Sequence, residues 1–212
     1  MTGQRTTSPM SGFGALQRFV RRPDATERCE LCGATVASQH EHLLEVQQRR
    51  LACACQACAI LFDGQAGQRF KRVPSHIRSL RDFQLSDSQW ESLLVPINMA
   101  FFFRQSSSGK VLAMYPSPAG ATESQLPLEI WQEIAADNPS LEAMESDVEA
   151  LLVNRLGESR GFSVNQYFLL PIDQCFKLVG LVRTHWRGLS GGSELWEELQ
   201  KYFAALEAGS HA

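Results

Sequence analysis

Five of the chain's six cysteines fall within residues 29–58. They read Cys29-Glu30-Leu31-Cys32-Gly33 and, after about twenty residues, Cys53-Ala54-Cys55-Gln56-Ala57-Cys58. Two C-x2-C pairs, Cys29/Cys32 and Cys55/Cys58, are separated by 22 residues. That is close to the spacing of a four-cysteine zinc site. A C-x2-C turn puts both sulfurs on one side of a tight loop, and Gly33 lets the chain turn away. Tetrahedral zinc takes four ligands at about 2.3 Å, so two such turns brought face to face complete its shell.

The intervening residues suit a treble-clef or zinc-ribbon module. His42–Val46 and Arg49–Cys53 are short strand candidates, with Gln47-Gln48 between them, though this turn lacks Asn-Gly chemistry. Ala59-Ile60-Leu61-Phe62 then begins a helix, whose dipole favours a thiolate at its N-terminus. Four thiolates around one divalent ion leave a charge near −2, and Arg28, Arg49 and Arg50 stand in sequence to offset it. The expected metal ligands are Cys29, Cys32, Cys55 and Cys58. Cys53, His40 and His42 are the reserve ligands. Cys53 otherwise reads as a small apolar residue at a strand end. His40 and His42 read as exposed loop histidines or as hydrogen-bond donors to the sulfurs.

Clustered cysteines in a chain without a secretory signal point to metal in a reducing compartment, so the expected location is the cytoplasm. Arg21-Arg22 is followed by the polar Pro23-Asp24-Ala25-Thr26-Glu27 rather than by an apolar segment. No apolar run approaches the ~18 residues of a membrane span. A hydrophobic content of 44% over 212 residues supports a real core.

The net charge of −3 hides an asymmetry. Residues 1–81 hold twelve Arg/Lys against six Asp/Glu, a net +6, and residues 82–212 hold eight against seventeen, a net −9. A basic metal module joined to an acidic body is one reading of this division, with the two halves attracting each other or the basic half meeting an acidic partner. The basic run at 68–81 carries only Phe70 as an aromatic, so it offers no base-stacking platform and reads as a solvated connector. Nucleic acid is therefore not the expected partner.

Four regions follow from composition: a tail at 1–26 containing a short basic amphipathic segment, a metal module with its basic connector at 27–81, an α+β body at 82–207, and a tail at 208–212. Within the body, Ser86 or Asp87 can cap a short helix through Trp90 and Leu93. Strands are expected at 97–103 and 110–115, then a loop at 116–124 and a helix near 127–137. The plan recurs as strands at 149–153 and 166–170, closed by Pro171, and a helix bearing Trp186. A ββα unit used twice predicts a four-stranded antiparallel sheet with helices on one face. Ser193 is placed to cap a last helix at about 194–207.

No G-x-S-x-G, Walker A, Rossmann glycine or H-E-x-x-H pattern occurs. Cys175 sits on an apolar helical face and reads as a core thiol. The loop at 116–124 is rich in small residues, and it and 186–192 are the expected docking loops for a protein partner. Arg104, Thr122, Glu123 and Arg187 are the candidate partner-binding residues, with Arg187 a forked donor to a carboxylate. The expected protein is non-enzymatic.

Glu27–Gly33, His40–Leu44, Leu51–Cys58, Ala100–Arg104, Tyr115–Ser124 and Trp186–Gly192 together resemble the sequence blocks of an uncharacterised bacterial family. Genes of that family tend to lie beside those of nickel–iron uptake hydrogenases. The resemblance covers roughly residues 27–205 and implies a role in hydrogenase maturation or assembly, with a hydrogenase subunit or maturation factor as partner. It brings no catalytic residue with it. Two alternatives remain: a rubredoxin-like electron carrier with iron in place of zinc, and a nucleic-acid-binding zinc module.

Overall fold

The computed structural model describes residues 27–63, 69–157, 164–188 and 190–210. The tail at 1–26, with its short basic amphipathic segment, lies outside them.

The cysteine-bearing part opens with a tight knuckle. Cys29 N–H donates to Ala34 O and Gly33 N–H to Cys29 O, each at 2.8 Å. Gly33 takes φ +76°, a conformation that a side chain would penalise. Strands β1 (Glu41–Glu45) and β2 (Arg50–Ala54) follow as an antiparallel hairpin. Its four-residue turn closes through Arg49 at φ +50° rather than through a two-residue Gln-Gln turn. Helix α1 (Gln56–Phe62) begins at once, with Cys55 as its N-cap. Strand β3 (Phe70–Arg72) then pairs antiparallel with β1, giving a three-stranded sheet in the order β2-β1-β3.

The second sheet has six strands. They are β4 (Arg78–Ser79), β5 (Met99–Arg104), β6 (Val111–Ser117), β7 (Gly120–Ser124), β8 (Glu149–Asn154) and β9 (Gln166–Pro171), in the order β4-β9-β8-β5-β6-β7. All neighbours are antiparallel. The four strands expected from sequence are its centre, β9-β8-β5-β6, and two were missed at the edges. β7 lies inside the expected loop at 116–124, and β4 inside the expected connector at 68–81. Edge strands need only one partner and one covered face, so Gly120-Ala-Thr-Glu-Ser124 and Arg78-Ser79 carry no apolar alternation to betray them. The connector is not simply solvated either, since Phe70 and Val73 are buried within it.

Helices α2 (Asp87–Ser92), α3 (Leu128–Asp137), α4 (Ile172–His185) and α5 (Ser193–Gly209) complete the described residues, with a 3-10 turn at Pro139–Ala143. They cover both faces of the sheet, not one. Phe101, Leu152, Phe168 and Leu170 point to the side of α4 and α5, among Cys175, Leu178, Leu199 and Phe203. Phe102, Leu151, Val153 and Leu169 point to the other side, among Trp90, Leu93, Trp131 and Ile134 from α2 and α3. This explains why β5 and β8 read as continuous apolar runs: a strand buried on both faces has no polar alternation. It also limits the apparent repeat. Adjacent antiparallel β5 and β8 would be related by a two-fold axis normal to the sheet, which keeps both following helices on one face. The helices α3 and α4 lie on opposite faces, so the repeated pattern is not a repeated structure.

Ser86 caps α2 in a reciprocal box with Gln89, as its sequence position suggests. At α5 the cap is Gly192 rather than Ser193, and the helix runs on to Gly209, into the expected tail. Gly191 holds φ +89°, and a Cβ there would lie 2.7 Å from Leu195 Cδ2, so the leucine side chain would have to shift.

The two sheets share one core. Alternation along β1 sends Leu43 toward the cysteine end, with Ala54, Phe70 and Cys29. It sends Leu44, with Leu51 and Val73, into the core beneath α4. Two polar ties reinforce the seam. Lys71 Nζ lies 2.9 Å from Asp147 Oδ2 and donates to Ser146 O at 3.0 Å. His42 Nδ1 lies 2.8 Å from Asp173 Oδ2, in the first turn of α4.

Candidate metal centre

The knuckle and the start of α1 bring Cys29, Cys32, Cys55 and Cys58 together, with all four Sγ atoms within 4.8 Å of one another. Cys32 Sγ and Cys55 Sγ are 3.7 Å apart. A tetrahedron with bonds of about 2.3 Å has edges of about 3.8 Å. The four thiols therefore need only a small closure to hold a metal ion. Cys29 and Cys58 are buried, Cys55 is half-buried and Cys32 faces solvent.

Local electrostatics fit a cluster built around a cation. Burial pushes the Cys29 thiol up, but N–H groups of Cys55, Cys32 and Leu31 together outweigh it and bring it down to about 6. Burial, with the neighbouring thiols of Cys55, Cys32 and Cys29, pushes Cys58 up to about 12. One thiolate is favoured, and further ones repel it unless a positive ion joins them. Cys58 N–H reaches Cys55 Sγ at 3.5 Å, where the first turn of α1 presents its unpaired amides.

Two of the three arginines expected to offset the cluster are engaged elsewhere. Arg28 donates to Gly33 O at 3.2 Å, and Arg50 to Glu30 Oε2 at 2.7 Å. Glu30 also accepts from Cys53 N–H at 2.9 Å, and this backbone bond is the leading cause of its lowered pKa.

The reserve ligands form a group of their own. A ring nitrogen of His40, one of His42 and the sulfur of Cys53 lie within 4.8 Å of one another. They are not exposed loop residues. His42 is in β1, directly across from Cys53 in β2, and the side chain of His40 is 7% exposed. The two rings meet edge to face with centroids 4.7 Å apart. The bond to Asp173 raises the pKa of His42 against burial, which lowers it. Sequence reasoning missed Asp173 as the partner of His42, because 131 residues separate them. The alternation of His40 with His42, opposite a single cysteine, was the available signal.

Cys175 is fully buried on α4, and burial raises its thiol well above the usual value. It belongs to the core. The four candidate docking residues lie on three separate parts of the fold: Arg104 on β5, Thr122 and Glu123 on β7, and Arg187 just after α4. Thr122 and Glu123 are neighbours on β7, with Thr122 Oγ1 3.0 Å from Ser117 Oγ in the same hairpin. Glu123, Met114 and Phe101 lie in line across β7, β6 and β5. Arg104 lies three residues further along β5, about 10 Å away at strand rise. Arg187 Nη1 donates to Thr184 O and Trp186 O, both at 2.9 Å, closing the end of α4.

The fold and the cysteine cluster define a mixed α+β protein with antiparallel sheets and a four-thiol group able to hold a metal ion. Its sequence matches the family of unknown function DUF5947 over residues 28–210, and the chain belongs to that family. No curated protein and no solved structure matches it. Among the described residues, no helix is long and apolar enough to cross a membrane.

Proposed function

We propose that this is a zinc-binding, non-enzymatic accessory protein of the cytoplasm that assists maturation or assembly of a nickel–iron hydrogenase. The observation that carries the metal part is the convergence of four thiols from a knuckle and a helix N-terminus, with a Cys32–Cys55 separation close to the edge of a zinc–thiolate tetrahedron. The succession of knuckle, hairpin and helix supports a treble-clef reading. Four protein ligands close the shell, and closed shells serve structure rather than catalysis. Zinc at Cys29, Cys32, Cys55 and Cys58 would fasten the first turn of α1 to the knuckle.

The hydrogenase part rests on the resemblance of the sequence blocks. In this reading a hydrogenase subunit or maturation factor meets the β6–β7 hairpin, where Glu123 is exposed on an edge strand. Nucleic acid is a poor competitor: Arg50, Arg69 and Arg72 are each paired with a carboxylate of the same sheet or knuckle. The test is co-purification from a host that makes the hydrogenase. Glu123→Arg should lose the partner with metal content and melting temperature unchanged. Retention of the partner by that variant would remove the hairpin from the interface.

A rubredoxin-like iron carrier is the second reading. The exposed Cys32 favours it, because electron transfer needs a thiolate near the surface. Stoichiometric iron with thiolate-to-iron absorption in the purified protein would select it over zinc.

A further inference from the structure

We propose that His40, His42 and Cys53 form a second metal site, separate from the four cysteines, which takes a divalent first-row transition ion and leaves one coordination position open.

The strand geometry builds this group. His42 is in β1, and His40 stands two residues earlier, immediately before the strand begins at Glu41, where its ring meets that of His42 edge to face. Cys53 is the cross-strand partner of His42. The same face continues inward as Leu44 and Leu51, opposite each other and packed in the core. His42 and Cys53 therefore sit on the rim of an anchored hairpin, and His40 is held beside them by its bond to Ala37 O.

Each imidazole is oriented as a ligand. His40 Nδ1 lies 2.8 Å from Ala37 O, and His42 Nδ1 lies 2.8 Å from Asp173 Oδ2. A carbonyl and a carboxylate only accept, so both Nδ1 atoms carry the proton and donate it. The lone pair of each neutral ring is thereby left on Nε2. Carbonyl- and carboxylate-bound imidazoles are the usual form of metal-ligating histidine. An independent observation points the same way: His40 Nε2 is buried and has no hydrogen-bond partner. A buried nitrogen lone pair without a partner is costly, and a metal ion satisfies it.

One ring nitrogen of each histidine and the Cys53 sulfur lie within 4.8 Å of one another, so a small closure of about 1 Å brings the group to bonds of about 2.0–2.3 Å. Two imidazoles and one thiolate suit zinc, nickel, cobalt or copper rather than magnesium or calcium. His40 and His42 line a cleft of about 680 Å³ whose far wall includes Asp173, Gln174 and Lys177 of α4. A fourth ligand, water or a small anion, enters from that cleft. Asp173 comes from the body and the metal ligands from the hairpin, so the ion would tighten the seam between the two sheets.

Cobalt(II) is the probe. Protein that has kept its tightly held metal through dialysis is titrated with cobalt(II), following visible absorption and the histidine ring protons by NMR. One further equivalent should bind, with a single-thiolate charge-transfer band and paramagnetic shifts confined to His40 and His42. His40→Ala and Cys53→Ser should each abolish that equivalent while leaving the tightly held metal in place. Asp173→Asn, a positioning change, should weaken it about ten- to a hundred-fold and keep the same spectrum. The proposal is overturned if the native chain takes up no further equivalent, or if uptake persists in both His40→Ala and Cys53→Ser. Loss of the four-cysteine metal in wild type would instead count against the zinc reading alone, since the His40 and His42 shifts are read separately.

Discussion

At the residue scale, the clearest expectation concerns two cysteines of opposite kind. Cys55→Ser should bring the tightly held metal to well below one per chain, while Cys175→Ser should leave it unchanged, both read by elemental analysis. Cys175 was legible from its place on an apolar helical face, and burial bears that out. The histidines were less legible. An isolated H-x-H segment looks the same whether it lies in a loop or on a strand rim, and only the pairing of His42 with Cys53 and the distant Asp173 separates the cases. Arg187 shows the converse. A guanidinium beside glycines suggests a docking donor, but two of its bonds return to Thr184 and Trp186 carbonyls at the end of its own helix. A further residue-scale prediction concerns Gly191, where left-handed φ and the close approach of Leu195 act together. Gly191→Ala should cost about 1–2 kcal/mol from backbone handedness alone, and more from the clash, measured by urea unfolding.

At the scale of elements, what could be read from sequence was what the core dictates. The central strands announced themselves by their apolar side chains: β5, β8 and β9 bury bulky ones, and β6 half-buries Val111, Leu112 and Met114. The edges β4 and β7 did not, because backbone pairing alone defines them. The same logic hid β3, where Lys71 looks like a connector charge but reaches the buried Asp147. That pair makes a pH prediction. Burial raises the Asp147 pKa, but bonds from Ser106 and the charge of Lys71 together overcome it and leave the pKa lowered. A lowered folded-state pKa contributes stability above the unfolded value of about 3.9, and that stability is lost as pH falls through the folded value. Asp147 also holds φ +70°, which asparagine tolerates, so Asp147→Asn removes the charge without disturbing the turn. The gap in urea midpoint between wild type and Asp147→Asn should be full near pH 6 and should narrow as pH drops below about 4. A constant gap would show that the pair contributes nothing through ionisation.

At the scale of the whole molecule, the metal-bearing sheet and the larger sheet are not beads on a string. Leu44, Leu51 and Val73 of the first enter the core of the second, beside Cys175 and Phe168. Phe168 is fully buried in that shared core, so Phe168→Ala should cost about 3–5 kcal/mol in chemical denaturation. Metal loss and core disruption should then be coupled: removing the tightly held ion should lower the melting temperature of the entire chain, not melt the knuckle alone. The charge asymmetry between the halves gains a physical meaning here, since Lys71–Asp147 and Arg78–Glu149 are pairs that cross from the basic segment to the acidic one.

The central claim is a zinc ion held by four thiolates. The most direct measurement is zinc-edge X-ray absorption with elemental analysis on the His40→Ala variant, purified without added metal, so that only the four-cysteine site contributes. The account predicts one zinc per chain with four sulfurs at about 2.3 Å and no nitrogen in the first shell. A metal-free chain, a mixed sulfur–nitrogen shell, or iron in place of zinc would contradict it.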